Sequence, residues 1–228
     1  MEPEFWIERW QRNEIGFHQD QVNPYLEQYW GGLVADPHTP VFVPLCGKSQ
    51  DMVWLHERGH TVVGVELSRI AVEQFFVEQQ LVPTHREIEN FILFESHGYT
   101  IYCGDYFALK PQHLSQVRAT YDRASLVALP PQLRVRYAQH LARLLAPGVH
   151  TLLVAVDYPA QQMQGPPFAV NDAEVHALYS EMFTVQSLRV RNALDDNPRF
   201  KERGLTRLDE RVYALQRNML PATEEKAQ

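Results

Sequence analysis

Short apolar runs alternate with amphipathic segments along most of this chain. Strand-like apolar runs occur at 41–46, 62–67, 100–103, 120–128 and 151–158, and helical patterns separate several of them. This alternation predicts an α/β domain in which helices cover both faces of a mostly parallel sheet. A short strand is also predicted at 91–95, and the alternating segments 183–190 and 210–216 predict a closing antiparallel pair.

The N-terminal segment is rich in aromatic residues and predicts helices over 3–13 and 24–30. Trp6 and Trp10 are four residues apart, so they share one face of the first helix. This segment either packs on the core or forms a lid over a ligand. In the second case Trp10 and Phe17 are the candidate lid residues, because aromatic faces attract cations.

Residues 41–67 have the pattern of a βαβ unit. Gly47 breaks the first apolar run, and Ser49 is placed to cap the helix that follows. Glu66 lies near the end of the second strand, 19 residues after Gly47. Because ligands lie beyond the carboxyl ends of such strands, an acid there can accept hydrogen bonds from ribose hydroxyls.

The residues around Gly47 distinguish between three candidate nucleotide ligands. A dinucleotide prefers G-x-G-x-x-G, and Gly47 has no such neighbours. A P-loop needs an earlier glycine where this chain has Phe42. S-adenosylmethionine has a ribose and a base but no phosphate, so one glycine and one acid favour it. A βαβ unit with no ligand is the alternative.

Two other polar residues are predicted near strand ends. Asp105 follows the run at 100–103, where it either meets an adenine amino group or caps the next turn. Arg123 lies at the end of an apolar strand, where a charge is costly unless it is paired. The proline-rich loop at 165–168 follows the fifth strand and lies where a substrate would enter.

The composition suits one globular domain. The chain has 228 residues, of which 45% are hydrophobic, and a net charge of −7. We therefore expect a single domain over 1–228, with a frayed tail at 219–228. The acidic balance disfavours nucleic-acid binding, and no apolar run approaches the ~20 residues of a membrane span. Two cysteines in apolar runs and an acidic N-terminus predict a cytoplasmic protein with no nucleic-acid or membrane partner.

One metal-binding pattern matches the sequence by its letters. His56 to His60 reads H-E-x-x-H, a zinc pattern that needs both histidines on one helical face. Gly59 ends the predicted helix before His60, so we expect no metal site.

Five motifs of this chain together resemble those of the thiopurine S-methyltransferase family in its bacterial branch. They are Pro44-Leu45-Cys46-Gly47-Lys48, Val63-Gly64-Val65-Glu66, Asp122-Arg123 with Leu126-Val127-Ala128, Gly165-Pro166-Pro167-Phe168 and Phe17-His18-Gln19. The resemblance spans about residues 5–217. It implies a Rossmann-like class I methyltransferase domain with a seven-stranded sheet, a helical lid formed by residues 1–30, and S-adenosyl-L-methionine as the cofactor.

The resemblance also implies roles for individual residues. Cofactor contacts are implied at Trp10, Leu45, Glu66 and Arg123, and the residue pattern adds Gly47 and Asp105. Substrate contacts are implied at Phe17, Pro166, Pro167 and Arg199. Arg123 is the candidate catalytic residue, which would hold the methionyl carboxylate, orient an anionic substrate, or do both.

The expected activity is direct methyl transfer to the sulfur of small aromatic or heterocyclic thiols, thiopurines among them, by a monomer. Bacterial relatives are also associated with methylating selenium and tellurium species. An ionised thiol needs no strong general base, and the sequence offers no clear one. Two alternatives are a nicotinamide-dependent oxidoreductase, disfavoured by the missing glycines, and a non-catalytic sensor of the adenosyl ligand.

Overall fold

The computed structural model describes residues 3–219 of the chain, which form one sheet flanked by helices. The strands are β1 (Val41–Val43), β2 (Val62–Glu66), β3 (Thr84–Ile88), β4 (Phe91–Ser96), β5 (Tyr99–Cys103), β6 (Ala119–Arg123), β7 (His150–Asp157), β8 (Phe183–Asn192) and β9 (Asp209–Arg217). The helices are α1 (Pro3–Gln11), α2 (Pro24–Leu33), α3 (Gln50–Glu57), α4 (Arg69–Glu78), α5 (Pro131–Leu144), α6 (Asp172–Tyr179) and α7 (Pro198–Glu202). Nearly all of the predicted tail at 219–228 lies outside the described residues.

The strands form a mixed sheet in the order β3-β4-β5-β2-β1-β6-β7-β9-β8. The five strands from β5 to β7 pair in parallel, whereas the outer pairs are antiparallel. The predicted closing pair is confirmed in β8 and β9.

The prediction of a mostly parallel, seven-stranded sheet is wrong, because a hairpin of β3 and β4 extends the sheet beyond β5. The turn passes through Glu89, whose φ of 51° allows the chain to reverse tightly. Four of the five residues of β3 are exposed. A strand with no buried face lacks the apolar alternation that sequence reasoning relies on.

The helix starts follow from side-chain capping. The Ser49 side chain accepts a hydrogen bond from the backbone amide of Asp51, and Ser68 caps α4 in the same way through Ala71. The predicted Ser49 cap is therefore confirmed. The short α7 was not predicted, because its five residues are too few to show a helical period.

Helices pack on both faces of the sheet, as predicted. On one face, α2, α3 and α4 contribute residues such as Leu26, Leu55 and Phe75. On the other face, α5 and α6 contribute Leu141 and Tyr179. Both faces of the central strands are therefore buried, which explains their continuous apolar runs.

The two cysteines, Cys46 and Cys103, are free and buried, and burial raises the pKa of both thiols. They behave as the small buried hydrophobes that the sequence predicted. Among residues 3–219, no helix is both long and apolar enough to cross a bilayer.

Candidate active site

A cleft of about 840 Å³ lies beyond the carboxyl ends of the parallel strands. All ten of the predicted site residues line it. They are Trp10, Phe17, Leu45, Gly47, Glu66, Asp105, Arg123, Pro166, Pro167 and Arg199. The fold therefore brings together segments that are far apart in sequence, and this cleft is the candidate active site.

Glu66 anchors one end of the cleft from the last position of β2. Its Oε2 accepts a hydrogen bond of 2.8 Å from the Gly47 amide, and its Oε1 accepts one of 2.7 Å from the Ser68 amide. The residue is only 6% exposed. Burial raises the pKa of this carboxyl, and the backbone hydrogen bonds oppose that shift. The acid thus fixes the turn after β1 against the start of α4.

The turn after β1 has an unusual backbone that places it close to the N-terminal helix. Leu45 and Gly47 have φ angles of 47° and 53°, in the left-handed region that favours glycine. A Cβ atom at Gly47 would lie 3.4 Å from the Trp10 ring. Trp10 is 5% exposed, and Phe17 packs edge-on against it at 5.7 Å between ring centroids. The Trp10 indole therefore lies against the turn, and the Phe17 ring packs on the indole.

Arg123 stands at the end of β6, in the middle of the cleft. Its Nη1 donates to Oδ2 of Asp51 over 3.3 Å, and the Asp51 side chain is 1% exposed. The same carboxylate accepts hydrogen bonds from the Asn23 amide and the Tyr121 hydroxyl. The expectation that a charge in this strand is paired is confirmed. The ion pair holds the guanidinium at the cleft surface.

Asp105 caps the short 3-10 helix that begins at Tyr106. Its Oδ1 accepts a 2.9 Å hydrogen bond from the Phe107 amide. The capping interpretation is confirmed, and contact with an adenine amino group stays a prediction.

The loop at 165–168 forms a wall at the other end of the cleft. The Tyr158 hydroxyl donates to the Pro167 carbonyl over 2.6 Å, and the Phe168 amide donates to the Val127 carbonyl over 2.7 Å. These two hydrogen bonds tie the loop to the sheet and hold Pro166 and Pro167 at the cleft.

Arg199, on α7, connects that end of the cleft to the start of the chain. Its Nη1 donates to the Gly16 carbonyl, next to Phe17. A residue near the C-terminal end of the chain thereby helps to hold the N-terminal segment.

Several lining residues were missed by sequence reasoning. They are two valines on β7, a leucine just before β9, a carboxylate and two basic groups, namely Val154, Val156, Leu208, Glu210, His18 and Lys48. The βαβ pattern directs attention to polar residues at the ends of parallel strands, whereas Glu210 lies at the start of an antiparallel strand. Because β9 runs opposite to β7, its beginning lies at the same edge as the end of β7.

Within residues 3–219 there is no cluster of three or more side chains suited to a metal ion. His60 lies beyond the end of α3, and its Nε2 accepts a 2.9 Å hydrogen bond from the Trp30 indole. Its Nδ1 lies 2.9 Å from the Thr39 carbonyl. Both ring nitrogens of His60 are thus engaged within the protein.

Solved structures share this fold. A SAM-dependent methyltransferase from Anabaena variabilis superposes with a TM-score of 0.65, at 12% identity and with 95% of each chain covered. The Burkholderia thailandensis 1,6-didemethyltoxoflavin-N1-methyltransferase, solved with S-adenosylhomocysteine, gives a TM-score of 0.62 at 14% identity. That match covers 95% of this chain and 87% of the other. The architecture is therefore that of an α/β methyltransferase.

Sequence comparison narrows this to one family. The family model described as thiopurine S-methyltransferase matches residues 1–218. A thiopurine S-methyltransferase from Nitrosospira multiformis is 51% identical over 94% of this chain and 98% of its own length. Fold, cleft and sequence agree, and the chain belongs to the thiopurine S-methyltransferase family.

Proposed function

We propose that this chain transfers a methyl group from S-adenosyl-L-methionine to the sulfur of a small aromatic or heterocyclic thiol, with thiopurines as the substrate class. One observation carries this proposal. A single cleft joins the Glu66 end, suited to a nucleoside, to the 165–168 wall, and Arg123 lies between them.

The residues at the Glu66 end fit the cofactor. Each oxygen of Glu66 accepts one backbone N–H in the structure, so each keeps acceptor capacity for a ribose hydroxyl. One glycine, Gly47, lies close to the cleft, and the G-x-G-x-x-G pattern that a pyrophosphate needs is missing. The Trp10 ring supplies an aromatic face, which attracts a sulfonium cation. We therefore assign cofactor binding to Trp10, Leu45, Gly47 and Glu66, and adenine contact to Asp105.

When bound, S-adenosyl-L-methionine supplies an electrophilic methyl group, whose bond to the sulfonium sulfur breaks as the acceptor sulfur forms its own bond to that carbon. The chain contributes alignment, which can be worth on the order of 7–11 kcal/mol. Arg123 is the proposed catalytic residue. Held by Asp51, its guanidinium keeps donors free for the methionyl carboxylate and for an anionic acceptor.

The other end of the cleft would bind the acceptor. Phe17, Pro166 and Pro167 offer apolar surfaces to a flat ring, and Arg199 offers a positive charge to a thiolate. A thiol that is already ionised needs no general base, and this arrangement stabilises the ionised form. Selenium and tellurium anions have the same charge and are further acceptors to test.

We also propose that residues 1–30 act as a lid. Trp10 lies against the turn after β1, Phe17 packs on Trp10, and the Arg199 hydrogen bond to Gly16 is a contact that would break on opening. Protection of α1 amides from hydrogen exchange should increase when S-adenosylhomocysteine is added. Unchanged protection would contradict a lid.

We further propose that residues 1–228 form one domain and that the protein works as a cytoplasmic monomer without a nucleic-acid partner. The net charge of −7 supports the last point, because nucleic-acid binding rests largely on cationic side chains. Light scattering coupled to gel filtration measures the oligomeric state directly. A dimer mass at micromolar concentration would overturn the monomer.

The proposed reaction is tested by incubating the purified protein with methyl-labelled cofactor and a panel of aromatic thiols. We expect label in the thioether product and stoichiometric S-adenosylhomocysteine. Retained cofactor without product would indicate a sensor of the adenosyl ligand instead. A nicotinamide-dependent oxidoreductase would be indicated by tight binding of a nicotinamide dinucleotide.

A further inference from the structure

We propose that Glu210 accepts a hydrogen bond from a ring N–H of the acceptor, so that the enzyme selects heterocyclic thiols that carry such a donor. This inference rests on the proposed function and deepens it, because it names the chemical feature that distinguishes good acceptors from poor ones.

The contacts of Glu210 leave one of its oxygens available. The Tyr25 hydroxyl donates to Oε2 over 2.6 Å, and Nη1 of Arg191 lies 3.7 Å from the same oxygen. Among the described residues, no hydrogen bond or ion pair is made to Oε1. The side chain is 25% exposed and lines the cleft. Tyr25 and Arg191 thus fix a carboxylate whose second oxygen is left for a ligand.

The sheet order places Glu210 far from the cofactor end of the cleft. Glu66 ends β2, and Glu210 lies on β9, four strands away through β1, β6 and β7. At a spacing of ~4.8 Å between neighbouring strands, this separation is roughly 19 Å across the sheet. Arg123, on β6, lies between the two acids. Glu210 is therefore on the acceptor side of the proposed transfer point.

The surroundings of Glu210 suit a flat, largely apolar ring. Val156 pairs directly with Glu210 across β7 and β9, and Val154, Leu208 and Phe200 also line this part of the cleft. A carboxylate beside apolar walls is costly to desolvate unless the ligand supplies a hydrogen-bond donor. Ring N–H groups of purines and related heterocycles are such donors, whereas a simple benzene ring has none.

The charges along the cleft also give the acceptor one preferred direction. Arg123 and Arg199 attract a thiolate sulfur, while Glu210 repels it and attracts an N–H group. An acceptor that has both groups is oriented with its sulfur toward Arg123 and the methyl donor. An acceptor without the N–H loses this orientation and a hydrogen bond to a charged group.

A purely structural role for Glu210 makes a different prediction. Tyr25 is buried and needs a hydrogen-bond acceptor, which Glu210 provides. If that were its whole role, replacing Glu210 would change stability, and every acceptor would be affected equally. The variant Glu210→Gln separates the two roles, because an amide oxygen still accepts from Tyr25 while the charge is lost.

The experiment compares two thiols, a thiopurine with a free ring N–H and a benzenethiol with none, in steady-state kinetics at saturating cofactor. For Glu210→Gln, we expect the thiopurine KM to rise about tenfold or more, since a hydrogen bond to a charged group is lost. The benzenethiol kcat/KM should change by less than about twofold. Tyr25→Phe, which frees the carboxylate to move, should raise the thiopurine KM by a smaller factor.

The control is Glu87→Gln, an exposed acid on β3 at the opposite edge of the sheet, which should leave both thiols unaffected. Thermal unfolding of all variants separates folding from binding. An unchanged thiopurine KM, or equal losses for both thiols, would overturn the role of Glu210. If the wild-type protein methylates neither thiol, the proposed function itself fails, and this result is distinct from the first two.

Discussion

The two ends of the cleft are constructed differently. The proposed cofactor end comes mostly from one continuous stretch, Leu45 to Glu66, in which backbone amides and a buried acid form the surface, and Trp10 and Asp105 complete it. The acceptor end is assembled from five separated segments, namely the 16–19 turn, β7, the 165–168 loop, α7 and the start of β9. The proposed cofactor site thus rests largely on locally encoded structure, whereas acceptor selection, as proposed here, depends on long-range packing.

The largest effect is expected at Arg123, where the two ends meet. Arg123→Met should lower kcat by about 10²–10³-fold, the usual cost of losing a charged group at the reacting centre. Stability should also fall, because Asp51 keeps its place in the core without its cation.

Arg123→Lys is the matched variant, since it keeps the charge and loses the guanidinium geometry. Steady-state kinetics with urea unfolding of each variant provides the measurement. If the unfolded fraction accounts for all the lost activity, Arg123 has no catalytic role at the point where the two ends of the cleft meet.

A second test uses a buried acid on β6, one of the strands whose ends form the cleft. Asp122 precedes Arg123 on β6 and is fully buried, and burial raises the pKa of its carboxyl from 3.8 to about 6. The folded state therefore binds this proton more tightly than the unfolded chain does. Between these two pKa values the folded state carries more protons, so stability falls as the pH rises.

Asp122→Asn should remove that dependence. The unfolding free energy of the variant, minus that of the wild type, should increase by roughly 3 kcal/mol from pH 3 to pH 7. Cofactor and acceptor affinities should stay the same, because the Asp122 side chain is buried, bonds to the Tyr137 hydroxyl and does not line the cleft. A constant difference across this pH range would contradict the raised pKa.

The cofactor end is probed alone by Glu66→Ala. Removing a charged acceptor from ribose hydroxyls should weaken S-adenosylhomocysteine binding by about 1–3 kcal/mol in calorimetric titration. Glu66→Gln keeps one acceptor oxygen and should lose less. The acceptor KM should barely change at saturating cofactor. If cofactor affinity and acceptor affinity fell equally, the two ends of the cleft would not be independent.

The smallest effect is expected at the acceptor wall. Gly165 has a φ of 73°, and an added Cβ would lie within 2.9 Å of three ring atoms of Phe168. Gly165→Ala should therefore destabilise the fold by about 1–3 kcal/mol and raise the acceptor KM, with cofactor affinity intact.

Gly148→Ala is the matched control for Gly165→Ala. Gly148 has a similar φ of 83°, and the nearest atom to its Cβ is 3.9 Å away. An alanine at position 148 would have comparable backbone strain but no clash, and this position is far from the cleft wall. Equal effects of the two variants on acceptor KM would show that the Phe168 contact does not matter.

This contrast explains which parts of the molecule could be predicted from sequence. Gly47, Ser49 and Glu66 act within one βαβ unit, so their spacing alone predicts their arrangement. Glu210 and Val156 become neighbours only through an antiparallel pairing at the end of the sheet. No local pattern records that pairing, so Glu210 was missed. The resemblance suggested Arg199, and the position after the fifth strand had already indicated the proline loop.

The strand predicted at 91–95 is β4, but its hairpin partner β3 was not predicted, for a related reason. This outer strand buries none of its first four residues, so it carries no periodic apolar signal. The parallel strands, buried on both faces, were all recognised, although their ends were not exact. Pro44 and Leu45 turn away from the sheet, so β1 stops at Val43 rather than at Cys46.

The hairpin has a consequence for how molecules meet one another. It makes β3 one rim of the sheet, with β8 as the other, and charged side chains lie along both. Arg86 and Glu87 are exposed on β3, and Arg189 and Arg191 are exposed on β8. A neighbouring molecule that tried to add a strand at either rim would have to strip water from these groups. We therefore expect concentrated solutions of the protein to show little tendency to polymerise edge to edge.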